Sequence, residues 1–283
     1  MLEIVLAISE TGTLDLVQAI EGSSMLSKIL MILGFGAETA LFPAYTWLPA
    51  FYVGLNPVLL AVEVSSILPA ASYIIGLFSS STTTTALIAS TLALIGSIIG
   101  SLSAIVQSDI RRLLAYSTLS HTGYIVLGLS SNVSIARDYA ILHTLAHAIP
   151  KASLISVALL MISLANTYMI RDLRLFRGAY RLIAIGSGLA LLGLPPFLSF
   201  WTELYIFLGV FSLDITWKAL ALIYFAVILI STGYAFKLIY AYSESSDKVA
   251  KTPRATEIIL AIYFSLSLVL SVFQSSIVEY FLR

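Results

Sequence analysis

The chain has 283 residues, of which 59% are hydrophobic and only 11% charged, and its mean hydropathy is +0.99. About a quarter of a soluble domain is charged, so this composition excludes an ordinary soluble protein and points to a polytopic helical membrane protein. The formal net charge is zero, which offers nucleic acid no basic surface, and the lack of cysteine excludes disulfides, Cys-ligated clusters and Cys zinc sites.

Residues 1–9 are apolar but too short to cross about 30 Å of hydrocarbon, and they read as the end of a helix. No cleavable signal peptide is expected, because the first residues lack a basic region and carry Glu3. Residues 10–23 read as a polar turn and a short amphipathic piece. About eight crossings follow, over 24–49, 56–78, 84–107, 112–131, 136–166, 181–212, 215–242 and 254–281. The expected fold class is therefore all-α, polytopic, in a single membrane domain (1–283).

Loop charge predicts the orientation. Arg111, Arg112, Arg171, Arg174, Arg177, Arg181, Lys248, Lys251 and Arg254 fall in alternate loops, against Arg137 and Lys218 on the other side. This bias predicts that the basic loops are cytoplasmic in a cell membrane and that the C-terminus faces out.

Two crossings are interrupted by proline. The first carries Glu38 ahead of Pro43, and the sixth carries Pro195 and Pro196 ahead of Glu203. Proline in mid-span frees backbone groups that only protein or water can satisfy, and broken helices beside buried carboxylates recur in ion transporters. The second crossing adds Glu63, and the seventh Lys237 near its cytoplasmic end, where it can snorkel. Gly34, Gly36, Gly186, Gly188 and Gly193 read as sites of close helix approach.

The fifth crossing carries the densest chemistry. His143, His147 and Lys151 recur at i, i+4 and i+8, within an arc of about 80° on one helix face. Pro150, just before Lys151, predicts a kink or opening. Intramembrane ionisable groups cost about 2.5–3.5 kcal/mol each on insertion scales, so a row of them predicts a pathway. His121 lies on the preceding crossing, which begins after Asp109, Arg111 and Arg112. That basic loop reads as a topology and interface signal. A static alternative has the histidines bonding across helices and Lys151 paired with a glutamate. No cofactor is expected, and no metal, because no further ligand cluster accompanies the histidines.

Four stretches resemble one family: QSDIRRLLAYSTLSHTGYIVLGL (107–129), HTLAHAIPKASL (143–154), GFGAETALFPAYTWLP (34–49) and GLPPFLSFWTELY (193–205). They are similar to the antiporter-like subunits, the proton-pumping membrane subunits of respiratory complex I. Relatives serve multisubunit cation/proton antiporters and membrane-bound hydrogenases. The resemblance covers about residues 10–210. It implies a fold of fourteen helices with two inverted five-helix repeats, of which this chain carries the second (24–212). Residues 1–23 then form a partial helix and turn, and 213–283 two C-terminal helices.

The resemblance places His147 and Lys151, with His143, at the titratable positions of the eleventh helix, and Glu203 at the buried position of the broken twelfth. Glu38 stands where a central lysine is usual, and Glu63 lies near the titratable position of the eighth helix. The implied function is a proton- or cation-translocating subunit moving H⁺ or Na⁺ along His143, His147, Lys151 and Glu203. Any oxidoreductase activity would belong to partner subunits, and the first repeat would come from a separate chain or be lost. The alternative is a non-conducting structural subunit packed between other membrane subunits, favoured by the reversed charge at Glu38.

Overall fold

A computed structural model describes residues 2–13, 15–54, 56, 59–60, 66–175, 179–243 and 254–282. Among them the chain is helical, with one isolated bridge between Asp109 and Met169 in place of strands. The chain opens with α1 (Leu2–Thr11) and α2 (Leu16–Gly22), then a broken helix made of α3 (Met25–Glu38) and α4 (Trp47–Gly54). After α5 (Leu68–Ser79) come three long helices: α6 (Thr83–Val106), α7 (Ile110–Ser130) and α8 (Ser134–Ala165). A short 3₁₀ turn (Ile170–Leu175) leads to a second broken pair, α9 (Ala179–Leu191) and α10 (Leu198–Phe211). Then follow α11 (Ile215–Ser243), α12 (Arg254–Val272) and a short terminal stretch, α13 (Gln274–Ile277).

Local chemistry sets these boundaries. The Thr82 hydroxyl accepts from Thr85 N at the start of α6, and the Asp109 carboxylate accepts from Arg111 N at the start of α7. Both satisfy backbone donors that a helix start leaves open. Asn166, at φ 48°, ends α8 in the left-handed conformation that asparagine tolerates. Lys237 donates to the Ile105 and Gln107 carbonyls, which closes the C-terminal end of α6.

Helices α6 and α7 form the most extensive pair in the bundle. Their contact is made of small residues, and a Cβ at Gly123 would stand 2.4 Å from the Ala93 carbonyl oxygen. Glycine is therefore required there for the approach. Helix α8 packs against α7, α9, α10 and α12, so the titratable row lies at the centre of the bundle. Tyr124, Tyr224 and Tyr234 fill the space between α7 and α11, all fully buried.

From α3 onward the described helices overlap the segments expected to cross, with three differences. Helix α8 continues through Pro150 over 32 residues, so the expected opening is corrected. Proline removes only its own N–H, and the hydrogen bonds on either side hold the ladder. The last expected crossing is bent by 73° between Val272 and Gln274. Beyond the bend, Tyr139 donates to the Gln274 amide oxygen and ties α13 to α8. The 56–78 crossing is described mainly from Leu68 onward, and Glu63 lies outside the described residues. Helices 83–106, 134–165 and 215–243 are each long and apolar enough to span a bilayer.

The two ends of the bundle differ. The Asp109–Met169 bridge joins the loop after α6 to the loop after α8, and Arg181 donates to the Ser243 carbonyl at the end of α11. The loops expected to share the basic side thus meet at one end. At the other end, Thr82, Ser131, Asn132 and Asp214 gather around one cavity.

Candidate functional site

The row on α8 faces α7. His143 and Lys151 are fully buried and His147 nearly so. Lys151 Nζ donates to the Leu114 carbonyl at 2.7 Å and to the Ser117 hydroxyl, both on α7. Among the described residues no carboxylate lies within ion-pair distance of it. The static pairing of Lys151 with a glutamate is thus not what the described residues form.

His121 on α7 fits between the two histidines of α8. Its Nδ1 lies 3.0 Å from His143 Nε2, and its ring stacks on His147 with centroids 4.6 Å apart. Its Nε2 lies 3.1 Å from the Tyr234 hydroxyl on α11. His143 Nδ1 lies 2.8 Å from Thr202 Oγ1 on α10, and that hydroxyl donates to the Ser199 carbonyl at 2.9 Å. Since the threonine proton is used there, Thr202 accepts from His143, His143 Nε2 accepts from His121 Nδ1, and Tyr234 donates to His121 Nε2. One consistent orientation of donors thus crosses four helices. His147 Nε2 is buried with no hydrogen-bond partner among the described residues. A buried polar nitrogen in that state marks a place for water.

Glu203 enters from the second helix break. It is buried on α10, and its carboxylate lies against Gly193, where a Cβ would stand 2.3 Å from Oε2. Gly193 has φ +69° in the segment between α9 and α10 that also holds Pro195 and Pro196. The break thus opens a space that only a glycine leaves free, and the carboxylate occupies it. His121, His143 and Glu203 each present one ligand atom, all within 4.8 Å of one another. Two imidazoles and a carboxylate suit a borderline metal such as zinc. The sequence expectation that no ligand cluster forms is therefore corrected, because three separate helices bring the donors together.

Glu38 stands apart. It ends α3 ahead of the segment holding Pro43, and it is exposed beside Trp47 and Phe51. The expectation of a buried carboxylate at this break is corrected: no described segment covers that face, so the side chain reaches the surface of the chain. Tyr234, Thr202, Ser117 and Tyr124 were not singled out in the sequence. Polar residues at single positions of an apolar helix carry no spacing signal, and only packing shows which face them inward.

Residues 2–230 match the family model described as NADH:quinone oxidoreductase/Mrp antiporter, transmembrane. The chain belongs to this family. The antiporter-family chain is 31% identical over 222 residues to NADH-quinone oxidoreductase subunit N of Desulforudis audaxviator, covering 74% of the chain and 42% of that protein. It is 30% identical over 245 residues to subunit N of Xanthomonas euvesicatoria, covering 77% and 48%. The chain thus spans about half the length of these curated relatives. Among solved structures, an archaeal membrane-bound sulfane sulfur reductase superposes with a TM-score of 0.87 at 22% identity, covering 98% of this chain and 60% of the other. The Mrp complex of Dietzia sp. gives 0.85 at 18% identity, covering 98% and 63%. At these identities the structures establish the fold: a helical, multi-pass, antiporter-like membrane subunit.

Proposed function

We propose that this chain translocates protons as a membrane subunit of a larger redox-driven or antiporter-type complex. The observation that carries the reading is the position of His121, in contact with both His143 and His147. It turns the row of α8 into a connected set of exchangeable protons. Lys151 stands one turn beyond His147 on α8 and bonds Ser117 of α7, and the orphan His147 Nε2 marks a water on the way to the histidines. Glu203 lies on the other side of the histidine junction.

In this reading Lys151 takes up a proton and passes it through water to the histidines. An imidazole receives a proton on one nitrogen and releases one from the other, so His121 and His143 relay it without moving far. Glu203 accepts it, and its protonation changes the field felt by Lys151. A carboxylate and an ammonium in low dielectric interact strongly at distances where water would screen them. That coupling is how a charge change elsewhere in a complex could drive uptake and release. The exposed Glu38 is left out of this relay, and Glu63 and the division of the chain into 1–23, 24–212 and 213–283 remain as proposed from the resemblance.

The basic loops are proposed to face the cytoplasm, with the C-terminus outside. The named relatives belong to NADH-quinone oxidoreductases, and the solved neighbours to an Mrp complex and a respiratory sulfur reductase. This supports partnership with other membrane subunits. Protons are preferred over Na⁺ because the central donors are imidazoles, whereas a hard cation takes oxygen ligands.

The test is proton transport by the intact complex in liposomes, comparing wild type with Lys151→Ala and Glu203→Gln, with assembly followed on native gels. Transport lost with assembly intact is the expected result. Unchanged transport in both variants would leave the chain a structural subunit.

A further inference from the structure

The first helix break leaves a charge where the bilayer offers it no partner. Glu38 ends α3, and the segment after it passes Gly96, near the middle of α6: a Cβ on that glycine would stand 3.5 Å from the Phe42 nitrogen. Helix α6 is long and apolar enough to span, so the break lies near mid-membrane. Glu38 is nevertheless exposed, and it forms no ion pair among the described residues. A carboxylate facing hydrocarbon is costly, and intramembrane charges normally meet an opposite charge or a polar cavity.

Two grooves meet at this residue. One, of about 540 Å³, runs between α3 and α5 and is lined by Gly34, Phe35, Ile67, Ala70 and Ile74 beside Glu38. The other, of about 340 Å³, is lined by Gly34, Ala37, Glu38, Trp47 and Phe51. The rings of Trp47 and Phe51 lie edge to face with centroids 5.3 Å apart. The Trp47 indole donates to the Ala37 carbonyl at 2.9 Å, which fixes it beside the carboxylate. A carboxylate with aromatic rings next to it suits a cation, by its charge and by the ring quadrupoles.

We propose that these grooves seat a transmembrane helix of another subunit, which lies along the α3–α5 groove and pairs a lysine or arginine at mid-height with Glu38. Gly34 and Ala70 leave that helix room to approach closely. The depth rules out a lipid headgroup as the source of the cation, because headgroups lie outside the hydrocarbon core. A second copy of this chain has no cation to give there. Among its described basic residues only Lys151 lies near the middle of a span, and it is buried and bonded to α7. The inference goes beyond the relay, which leaves Glu38 out, and needs only that the chain works among other membrane subunits.

The test is photo-crosslinking in the intact complex. A photoreactive benzoylphenylalanine would replace Ala37 or Ile67, both exposed, one in each groove, and the captured peptide would be read by mass spectrometry. Both positions are expected to capture one membrane subunit other than this chain, within about two turns of a lysine or arginine in an apolar segment. Capture of lipid alone, of a second copy of this chain, or of a segment without a basic residue would overturn the proposal. Glu38→Lys is expected to lower at least tenfold the share of this subunit held in the complex on native gels. Replacing the captured basic residue by glutamate in the same cells is expected to restore it. Wild-type assembly of Glu38→Lys, or no restoration by the exchange, would overturn the pairing. The cross-links leave Glu38 in place and decide the matter if Glu38→Lys does not fold. Proton transport enters neither readout, so Lys151→Ala, which tests the relay, is expected to leave both unchanged.

Discussion

His121 Nδ1 and His143 Nε2 face each other at 3.0 Å across the contact of α7 and α8. Their outer nitrogens are held as well, His121 by Tyr234 and His143 by Thr202. Both rings are thus fixed in orientation and tautomer by groups on two further helices. A proton shared between two oriented imidazoles needs little rearrangement to pass, which is why the junction forms the centre of the proposed path.

The same geometry predicts a metal block. Zinc bound to both facing nitrogens at about 2.0–2.1 Å in tetrahedral geometry would need them about 3.3 Å apart, an opening of about 0.3 Å from the observed contact. Glu203 supplies a third donor; on binding, the His121 proton moves from Nδ1 to Nε2 and is donated to the Tyr234 hydroxyl, while His143 already donates to Thr202, as metal-bound histidines do to their outer partners. Added Zn²⁺ is expected to stop transport, and a chelator to restore it. Zinc-edge X-ray absorption should report nitrogen and oxygen ligands that disappear in His143→Ala. Tyr234→Phe should weaken the block about tenfold. Equal zinc affinity in wild type and His143→Ala would rule this junction out as the site.

Lys151 separates a functional role from a packing role. It is fully buried and held by a carbonyl and a hydroxyl. Burying a charge without a countercharge is costly, and replacing such groups by apolar ones of similar volume is often neutral or stabilising. Lys151→Met is therefore expected to abolish transport while the purified complex melts at the same temperature or higher. A lower melting temperature with transport retained would mean that Lys151 serves packing alone.

Much of this arrangement was legible in the sequence, and the reasons are physical. A helix repeats nearly every four residues, so His143, His147 and Lys151 had to share a face. Which helix meets that face is not periodic information. The insertion of His121 between His143 and His147 goes with the close approach of α7 and α8, where a Cβ at Gly128 would stand 2.6 Å from Ala140 Cβ; such small residues look unremarkable in a row of apolar ones. Glu38 and Glu203 read alike as carboxylates beside proline breaks, yet one is exposed and one buried. Exposure depends on what covers a helix, and the helix's own residues do not encode its neighbour.

Gly193 links the second break to the carboxylate. Its φ of +69° disfavours any residue with a Cβ by about 1–2 kcal/mol. That Cβ would also meet Glu203 Oε2 at 2.3 Å, so the carboxylate must move. Gly193→Ala is expected to lower the melting temperature and to reduce transport more than a stability loss of that size explains. Normal transport in a destabilised Gly193→Ala complex would show that the position of Glu203 against the break is unimportant.

Thr202 is a positioning residue, because it acts only through His143. Its hydroxyl accepts from His143 Nδ1 and donates to the Ser199 carbonyl, which keeps Nε2 of that ring turned toward His121. Thr202→Val keeps the shape and removes the acceptor, leaving a buried N–H unpaired at a cost of about 1–3 kcal/mol. The ring then has reason to turn or change tautomer. Thr202→Val should slow transport and weaken the zinc block together, while Thr202→Ser restores both. A purely structural threonine would change melting alone. Transport and zinc sensitivity both unchanged in Thr202→Val would mean that His143 holds its orientation without this hydroxyl.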